Sequence, residues 1–253
     1  MQLLINGIGG QMGRALIDAV DQIPDVSIVC GIDPNCSREL PFPVYSSCND
    51  VHIDVDAVID FSVPAATKQI LGFCLERRLP LVVCTTALPD SLIEEIRTAS
   101  ETIPVFRSGN MSLGINVMRA LLKQARILLG DPFDVEIIET HHNRKIDAPS
   151  GTALMLADAI READGQPHPY VLGRSEKDRR REKGEIGFHS VRGGTVVGEH
   201  EVRFLGPDEE LSVLHRASSK RIFANGAIKA AGFLINKKNG LYSMEDLVNE
   251  MLG

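Results

Sequence analysis

The sequence predicts an α/β fold in its first half, a doubly wound parallel sheet of the Rossmann type, followed by an α+β domain with a mostly antiparallel sheet. Two observations predict the first part: short apolar runs alternate with segments of helical periodicity, and the first run ends in a glycine-rich turn. A third observation predicts the second part, because apolar and polar residues alternate along several runs from Ile186 onward.

Five apolar runs in the first half predict strands that are buried on both faces, at residues 3–5, 26–32, 57–59, 81–83 and 104–106. Helical spacing of apolar residues separates them, at residues 12–20, 65–77 and 91–100. Strands that alternate with helices form βαβ units, so we expect a parallel sheet with helices on both faces.

The second half begins with a helical pattern over residues 113–129, a strand over 135–140 and a helix over 151–163. Alternating segments at 186–191, 196–204 and 211–217 predict antiparallel strands with one solvated face, and helical segments follow at 222–236 and 244–252. We therefore expect a dinucleotide-binding domain at 1–110, to which residues 222–253 can return, and a substrate-binding and oligomerisation domain at 111–221.

The composition excludes several classes of protein. The formal net charge of -7 argues against a nucleic-acid-binding protein. The five cysteines are odd in number and no two of them have CxxC spacing. This pattern indicates reduced thiols in a cytoplasmic protein and no zinc site. No apolar run reaches membrane-spanning length and the first residues do not form a signal-peptide pattern, so we expect a cytoplasmic protein with no membrane partner and no metal.

The first predicted strand runs into a turn in which Gly7, Gly10 and Gly13 repeat at three-residue spacing before a helix. Glycine allows a tight turn and a close approach to a pyrophosphate, which the N-terminus of the helix favours. Asp33 follows the second strand, where an acid can bind the ribose hydroxyls of NADH and repel the 2′-phosphate of NADPH. No basic residue follows until Arg38, so NADH is the expected cofactor, with NADPH as the alternative. The alternative interpretation is an ordinary turn.

A run of polar residues follows the predicted strand at 135–140. His141, His142 and Lys145 place titratable groups at the end of a strand, where a histidine can transfer protons and a lysine can bind a carboxylate. Ser150 is the expected N-cap of the next helix, whose first N–H groups, at Gly151 and Thr152, form an anion site. A base, a cation and an anion site together predict the binding of a small carboxylate. A histidine pair alone is usually structural.

The segment from His141 to Thr152 resembles the signature of the dihydrodipicolinate reductase family, His-His-x-x-Lys-x-Asp-Ala-Pro-Ser-Gly-Thr. The similarity extends over nearly the whole chain, with further matching blocks at residues 7–13, 60–62, 85–86, 110–114, 186–188, 197–200, 215–219 and 223–227. The resemblance implies a Rossmann-type reductase that acts on 4-hydroxy-tetrahydrodipicolinate in diaminopimelate and lysine biosynthesis, giving tetrahydrodipicolinate.

The resemblance also implies residue roles and a homotetramer built on the strands of the second domain. His141 and Lys145 match the groups that transfer protons, and His142, Lys145, Ser150, Gly151 and Thr152 match the segment that contacts the substrate carboxylates. The cofactor-binding stretches match Gly7, Ile8, Gly9, Gly10, Gln11, Met12, Asp33, Cys84, Thr85, Thr86, Ser108, Gly109, Asn110 and Met111.

The chain departs from the family pattern at two positions. Cys84 and Ala87 stand where the family usually has glycine, which can change how closely the backbone approaches the nicotinamide. Four further histidines, His168, His189, His200 and His215, are interpreted as structural or surface residues. The charged run at 177–183 is interpreted as a solvated mobile loop rather than as a patch that attracts anions.

Two other functions stay open from the residues alone. One is a different Rossmann dehydrogenase, such as a semialdehyde or amino-acid dehydrogenase, which would share the cofactor half and would not need the His-His-x-x-Lys cluster. The other is a nucleotide-binding regulator that binds NADH without turnover. Loss of Lys145 would leave the function of such a regulator intact.

Overall fold

A computed structural model describes residues 1–175 and 179–252 of the chain. The strands within these residues are β1 (Gln2–Asn6), β2 (Ser27–Ile32), β3 (Val44–Tyr45), β4 (Ala57–Asp60), β5 (Leu81–Val83), β6 (Pro104–Arg107), β7 (Asp134–His141), β8 (Tyr170–Leu172), β9 (Ile186–Arg192), β10 (Gly198–Leu205), β11 (Glu210–Ala217) and β12 (Gly240–Tyr242). The α-helices are α1 (Gln11–Val20), α2 (Pro64–Arg77), α3 (Asp90–Ala99), α4 (Leu113–Leu129), α5 (Gly151–Asp164), α6 (Arg221–Leu234) and α7 (Met244–Leu252).

The chain divides into two compact units. The first unit comprises Met1–Leu113 together with Lys220–Gly253, and the second unit comprises Gly114–Ser219. The C-terminal helices α6 and α7 therefore belong to the same unit as β1. None of the helices in the described part of the chain is long and apolar enough to cross a membrane.

The first unit contains a seven-stranded sheet with the order β12-β6-β5-β4-β1-β2-β3. Every neighbouring pair in this sheet is parallel, which confirms the predicted Rossmann-type architecture. The chain proceeds from β1 toward one edge and from β4 toward the other, so the strand order reverses between these two strands. Ligands of open parallel sheets bind at such a reversal, outside the carboxyl ends of the strands. β3 and β12 were not predicted from the sequence, because strands of two and three residues are too short to show a periodicity.

The two faces of this sheet carry separate hydrophobic cores because successive side chains of a strand point to opposite faces. Ile5 of β1 packs in one core with α1 and α6, whose Leu16 and Ala227 are buried there. Its neighbour Leu4 packs in the other core with helices α2 and α3. The strands are therefore covered on both faces, as their continuous apolar sequence predicted.

The second unit contains a five-stranded mixed sheet with the order β11-β10-β7-β9-β8. β10 is antiparallel to both β7 and β11, as expected. The prediction of an antiparallel strand at 186–191 was wrong, because β9 runs parallel to both β7 and β8. The α5 crossover between β7 and β8 makes β8 parallel to β7. β9 pairs parallel with β8 and therefore has the same direction as β7. Apolar residues of β7, β9 and β10 pack with α4 and α5 in the core of this unit.

Candidate functional site

The residues predicted to bind the cofactor lie in the first unit, after the carboxyl ends of four of its parallel strands. Residues 7–12 follow β1, Asp33 follows β2, residues 84–86 follow β5 and residues 108–111 follow β6. Because all the strands of this sheet are parallel, their carboxyl ends lie along one edge. The topology thus places these four segments on the same edge of the sheet, which we call the nucleotide edge.

The glycine turn after β1 has the geometry of an anion-binding helix start. Gly7 has a φ of +84°, a conformation that favours glycine. A Cβ atom at Gly13 would lie 2.1 Å from the carbonyl oxygen of Ile8, so only glycine fits there. Gly10 is the N-cap of α1 and supplies no side-chain hydrogen bond to the helix. The N-terminus of α1 is therefore shaped for a pyrophosphate, because its first N–H groups are not capped by a side chain.

Asp33 is held against this turn. Its Oδ2 atom accepts a hydrogen bond of 2.9 Å from the backbone N–H of Gly9, and its Oδ1 atom accepts one of 2.9 Å from Asn35. Arg38 also reaches the turn, because its Nη2 atom donates to the carbonyl oxygens of Ile8 and Gly9 at 2.9 and 3.1 Å. Arg38 is therefore adjacent to the glycine turn in the fold, although it is distant from the glycines in the sequence.

The segment after β5 carries the two departures from the family pattern. The Cys84 side chain is buried in the core of the first unit, and burial raises the pKa of its thiol well above the ordinary value. Only the backbone of Cys84 is thus available to a ligand. Ala87 has a φ of +54°, in the left-handed region, where glycine is favoured. The usual glycine at this position is consistent with that backbone conformation. Thr86 is exposed and Thr85 is half-buried.

Residues 108–111 form a turn after β6. The Ser108 hydroxyl donates to the carbonyl oxygen of Asn110 at 3.1 Å, and Asn110 Oδ1 accepts from the N–H of Ser112 at 2.8 Å. Met111 is buried, and a Cβ atom at Gly226 of α6 would lie 1.7 Å from its carbonyl oxygen. The turn therefore depends on a close approach of α6, which the sequence analysis did not foresee.

The second candidate cluster lies in the second unit, at the carboxyl end of β7. Alternate residues of this strand point to the inner face: Val135 and Ile137 lie in the hydrophobic core, and Glu139 and His141 follow on the same side. The inner face of the strand is thus apolar in its first half and polar at its last two positions. Glu139 is completely buried.

Glu139 is an ionised group surrounded by donors. Arg192 of β9 binds it with both terminal nitrogens, at 2.8 Å to Oε2 and 2.7 Å to Oε1, and the N–H of Ser150 donates to Oε1 at 3.2 Å. Burial raises the pKa of Glu139, but the hydrogen bonds from Arg192, Ser190 and His141 outweigh burial and bring the pKa to about 2. The carboxylate is therefore charged at neutral pH.

His141 lies against this carboxylate. Its Nδ1 atom is 2.5 Å from Glu139 Oε2, so an ionised Glu139 orients the ring with a proton on Nδ1. Burial lowers the pKa of His141, and the positive charges of Lys145 and Arg192 lower it further. Glu139 raises the pKa, but it does not cancel these effects, so the pKa of His141 lies below its ordinary value. A Cβ atom at Gly198 would lie 3.0 Å from the Nε2 atom of His141. The glycine therefore leaves room beside the ring nitrogen that does not contact Glu139.

Ser150 links the cluster to the start of α5. The structure confirms it as the N-cap, because its hydroxyl accepts a hydrogen bond of 3.1 Å from the N–H of Ala153. The Nε2 atom of His200 lies 3.0 Å from the same hydroxyl. The His200 ring packs edge-on against His141, with ring centroids 5.1 Å apart. Burial lowers the pKa of His200 to about 4, so this ring is neutral at physiological pH.

Lys145 lies in the loop between β7 and α5. Its Nζ atom pairs with Asp147 Oδ1 at 2.8 Å. The pKa of Asp147 is lowered by this lysine and also by a hydrogen bond from the backbone of Gly151. The carboxylate of Asp147 thus contacts Lys145 and Gly151, which are both predicted to bind the carboxylates of a substrate. The Nδ1 atom of His142 is buried and has no hydrogen-bond partner among the described residues.

Three residues of this cluster were missed by the sequence analysis: Glu139, Arg192 and His200. Glu139 precedes His141 by two residues on a strand, so the strand period was an available signal for it. Arg192 is opposite His141 in the parallel register of β7 and β9, which required the correct sheet topology. His200 reaches the cluster through the pairing of β10 with β7, although it was expected to be structural or a surface residue.

Two of the other histidines have partners outside this cluster. His168 contacts Asp164 and the carbonyl oxygen of Gly184, and His189 contacts Glu136. In the described part of the chain no group of three or more His, Cys, Asp or Glu side chains could hold a metal ion.

Of the run at 177–183, Lys177 and Asp178 lie outside the described residues. Arg179 pairs with Glu185, and Arg181 pairs with Asp134 at 2.6 Å. These two arginines are therefore neutralised within the second unit.

Comparison with known proteins assigns both units to one family. A family model described as the N-terminus of dihydrodipicolinate reductase matches residues 1–111, and a model of its C-terminus matches residues 114–248. A 4-hydroxy-tetrahydrodipicolinate reductase from Caldanaerobacter subterraneus subsp. tengcongensis is 47% identical over 250 residues, covering 99% of both chains. The enzyme of the same name from Clostridium tetani is 41% identical over 249 residues, covering 98% of this chain and 97% of its own.

Solved structures show the same fold. A dipicolinate-bound dihydrodipicolinate reductase from Paenisporosarcina sp. TG-14 superimposes with a TM-score of 0.81 at 24% sequence identity, covering 98% of this chain and 99% of its own. A scyllo-inositol dehydrogenase from Lactobacillus casei with bound NAD(H) superimposes with a TM-score of 0.59 at 14% identity, covering 100% of this chain and 89% of its own.

The pH dependence of unfolding tests the neutral burial of His200. Because the pKa falls from 6.5 to about 4 on folding, the unfolded chain binds a proton in this window that the folded chain does not. The stability that depends on neutral His200 is therefore present above pH 6.5 and is lost as the pH falls toward 4. One such group changes the free energy of unfolding by about 1.4 kcal/mol per pH unit. We expect His200→Gln to reduce the slope of the urea-unfolding free energy against pH by about this amount.

Exposed His52 supplies the control, since His52→Gln is expected to leave the slope unchanged. Equal slopes for wild type and His200→Gln would contradict the neutral burial of His200.

Proposed function

The chain belongs to the dihydrodipicolinate reductase family, and from that premise we propose that it reduces 4-hydroxy-tetrahydrodipicolinate to tetrahydrodipicolinate in diaminopimelate and lysine biosynthesis. A nicotinamide cofactor, held at the nucleotide edge, supplies the hydride. The observation that carries the proposal is the buried Glu139–His141 pair beside Lys145 and the N-terminus of α5. This cluster combines an oriented proton-transfer group with cationic and N–H groups that suit a dicarboxylate.

His141 transfers the proton in this proposal. Glu139 is held ionised by Arg192, so the Nδ1 position of His141 is committed to a hydrogen bond with that carboxylate. The exchangeable position is therefore Nε2, beside Gly198. Because the pKa of His141 lies below its ordinary value, the ring is mainly neutral at neutral pH, and the lone pair of Nε2 can take up a proton and pass it on. A positioned acid or base of this kind contributes roughly 10²- to 10⁴-fold in rate.

Lys145 binds a substrate carboxylate and, together with His141, supplies the one proton that the ring takes up when it accepts the hydride. Its ion pair with Asp147 has to open or be shared when the substrate binds. Asp147 is 59% exposed, and exposed ion pairs contribute about 0.2–1 kcal/mol, so this exchange has a small energetic cost. The N–H groups of Gly151 and Thr152 at the start of α5 favour the same carboxylate. His142 completes the proposed set with Ser150, which fixes the start of the helix.

The proposed cofactor is NADH, with NADPH as the weaker alternative. The cofactor fits the glycine turn, because α1 begins without a side-chain cap and its N-terminus suits the pyrophosphate. The Asp33 carboxylate, fixed by Gly9 and Asn35, is positioned to bind ribose hydroxyls and disfavours a 2′-phosphate. Arg38 lies at the same turn and reduces this penalty, so NADPH is not fully rejected. Residues 84–86 and 108–111 are proposed to bind the nicotinamide half.

The active form is proposed to be a cytoplasmic homotetramer. The five cysteines are unpaired, which suits a reducing compartment. In the second unit the helices α4 and α5 pack on one face of the sheet. Val191 and Leu214, on alternate positions that point to the opposite face, are 48% and 45% exposed. Burial of such a face between subunits is the usual way in which a one-sided sheet contributes to an oligomer.

Replacement of Lys145 tests the reaction. With substrate formed in situ from pyruvate and aspartate semialdehyde by a separate synthase, we expect wild type to oxidise NADH and Lys145→Ala to lose at least ~100-fold in kcat/KM. The loss combines a missing carboxylate partner with a missing proton donor. Lys183→Ala is the matched control, because Lys183 is a 76% exposed lysine whose partner is Asp131. Wild-type protein that binds NADH and does not turn over would refute the proposed reaction.

Replacement of Asp33 tests the cofactor preference. We expect wild type to have a higher kcat/KM with NADH than with NADPH, and Asp33→Ala to shift the ratio of the two toward NADPH by about tenfold, since 1.4 kcal/mol of repulsion corresponds to that factor. Initial rates with each cofactor measure the ratio. Glu76→Ala removes the same charge from an exposed site on α2 and is expected to leave the ratio unchanged. A ratio that favours NADPH in wild type would contradict the preference.

Light scattering coupled to size-exclusion chromatography tests the assembly. A tetramer is expected to elute with a mass four times the 27.6 kDa of one chain. Leu214→Glu places a charge on the proposed interface and is expected to lower the mass, because a buried unpaired charge opposes association. A wild-type mass of one chain at micromolar concentration would refute the tetramer.

A further inference from the structure

The first unit contains a buried carboxylate of its own, for which the proposed reaction provides no role. Asp60 is the last residue of β4 and is completely buried. β4 is central in the sheet, between β1 and β5. Asp60 therefore lies on the nucleotide edge, at the point where the strand order reverses. An acidic side chain is buried at such a place only when its oxygens are satisfied by hydrogen bonds.

Four side-chain donors satisfy it. Oδ1 accepts from Asn6 Nδ2 at 2.8 Å and from the Ser62 hydroxyl at 2.5 Å. Oδ2 accepts from the Thr67 and Thr85 hydroxyls at 2.5 and 2.9 Å. Each of its two oxygens thus accepts two hydrogen bonds from side chains of the same unit.

Three of the donors lie at the carboxyl ends of β1, β4 and β5, on the nucleotide edge of the sheet. Asn6 ends β1 and directly precedes the glycine turn, Ser62 lies between β4 and α2, and Thr85 follows β5. These segments also bind one another, because the N–H of Ser62 donates to the Thr85 hydroxyl at 3.1 Å and Asn6 Nδ2 lies 3.1 Å from the Ser62 hydroxyl. One carboxylate thus ties three chain segments that are distant in sequence.

The glycine turn rests directly on the segment that Asp60 anchors. A Cβ atom at Gly7 would lie 2.3 Å from the carbonyl oxygen of Phe61, and the N–H of Phe61 donates to the carbonyl oxygen of Asn6 at 3.0 Å. The backbone after β4 therefore forms the floor of the turn. A shift of this backbone changes the position of Gly7 and of the helix start that follows it.

We infer that Asp60 is a positioning residue for the nicotinamide cofactor: it holds the segments after β1, β4 and β5 in the conformation that binds the dinucleotide. The inference rests on the proposed function, since it takes the nucleotide edge as the cofactor site. Asp60 acts through its four donors and has no contact with the reacting atoms. Its contribution is the preorganisation of the site, which lowers the free-energy cost of binding and leaves the chemical step unchanged.

The test is Asp60→Asn, which replaces one acceptor oxygen with an amide that directs N–H groups at hydroxyl donors. We expect the Kd and the KM for NADH to rise about tenfold, with kcat at saturating NADH and the KM for the dicarboxylate within about twofold of wild type. Isothermal titration with NADH gives the Kd, and initial rates give the kinetic constants. Ile96→Ala, a core variant of α3 in the same unit, controls for a general loss of stability and is expected to keep the wild-type Kd.

Ser62→Ala provides a second variant in case Asp60→Asn does not fold, because it removes one donor and retains the carboxylate. A rise of about threefold in the Kd for NADH is expected. Wild-type binding of NADH combined with unchanged Kd values in both variants would overturn the inference, as would a loss confined to kcat. Failure of wild type itself to bind NADH would instead overturn the proposed function, so the two failures are distinguishable.

Discussion

The two-point contact between Arg192 and the buried Glu139 determines the geometry of the cluster proposed to transfer the proton. A carboxylate that is removed from water is stable only when charged or N–H donors replace the water. Arg192 supplies two donors and Ser150 a third, so Glu139 stays ionised and can orient His141. Without the guanidinium group, burial would favour a protonated Glu139. Neither the tautomer nor the orientation of His141 would then be fixed.

This contact depends on the topology of the sheet. β9 places Arg192 opposite His141 because it runs parallel to β7, and the parallel direction requires a crossover between them. The chain between β7 and β9 contains α5 and β8, and the N-cap of α5, Ser150, donates its N–H to Glu139. One connection therefore delivers both the cation that stabilises the carboxylate and the helix start proposed to bind the substrate. Asp60 has the corresponding place in the first unit, but its partners are hydroxyl and amide groups, which fix loops without adding a positive charge.

The sequence predicted what depends on local patterns. Residues 113–129 were predicted as a helix with the bounds of α4, and Ser150 was identified as a cap because a serine before a helical pattern is a local signal. The family and the Rossmann-type sheet were also predicted correctly. The direction of β9 was not, since the same alternation of residues fits a parallel or an antiparallel neighbour. Glu139 and Arg192 were missed for a related reason, because their role arises from a pairing between strands that lie far apart in the sequence.

The nucleotide edge is completed by a helix from the last part of the chain. The second unit is continuous in sequence, whereas the first unit needs residues from both ends of the chain. Helix α6 packs in the same core as β1, and Gly226 lets it approach the carbonyl oxygen of Met111 in the turn after β6. Contacts of such sequence separation carry the cost of closing a long loop, which grows only slowly with loop length. Because that cost grows slowly, α6 can come from the last part of the chain, and the turn at residues 108–111 depends on its close approach.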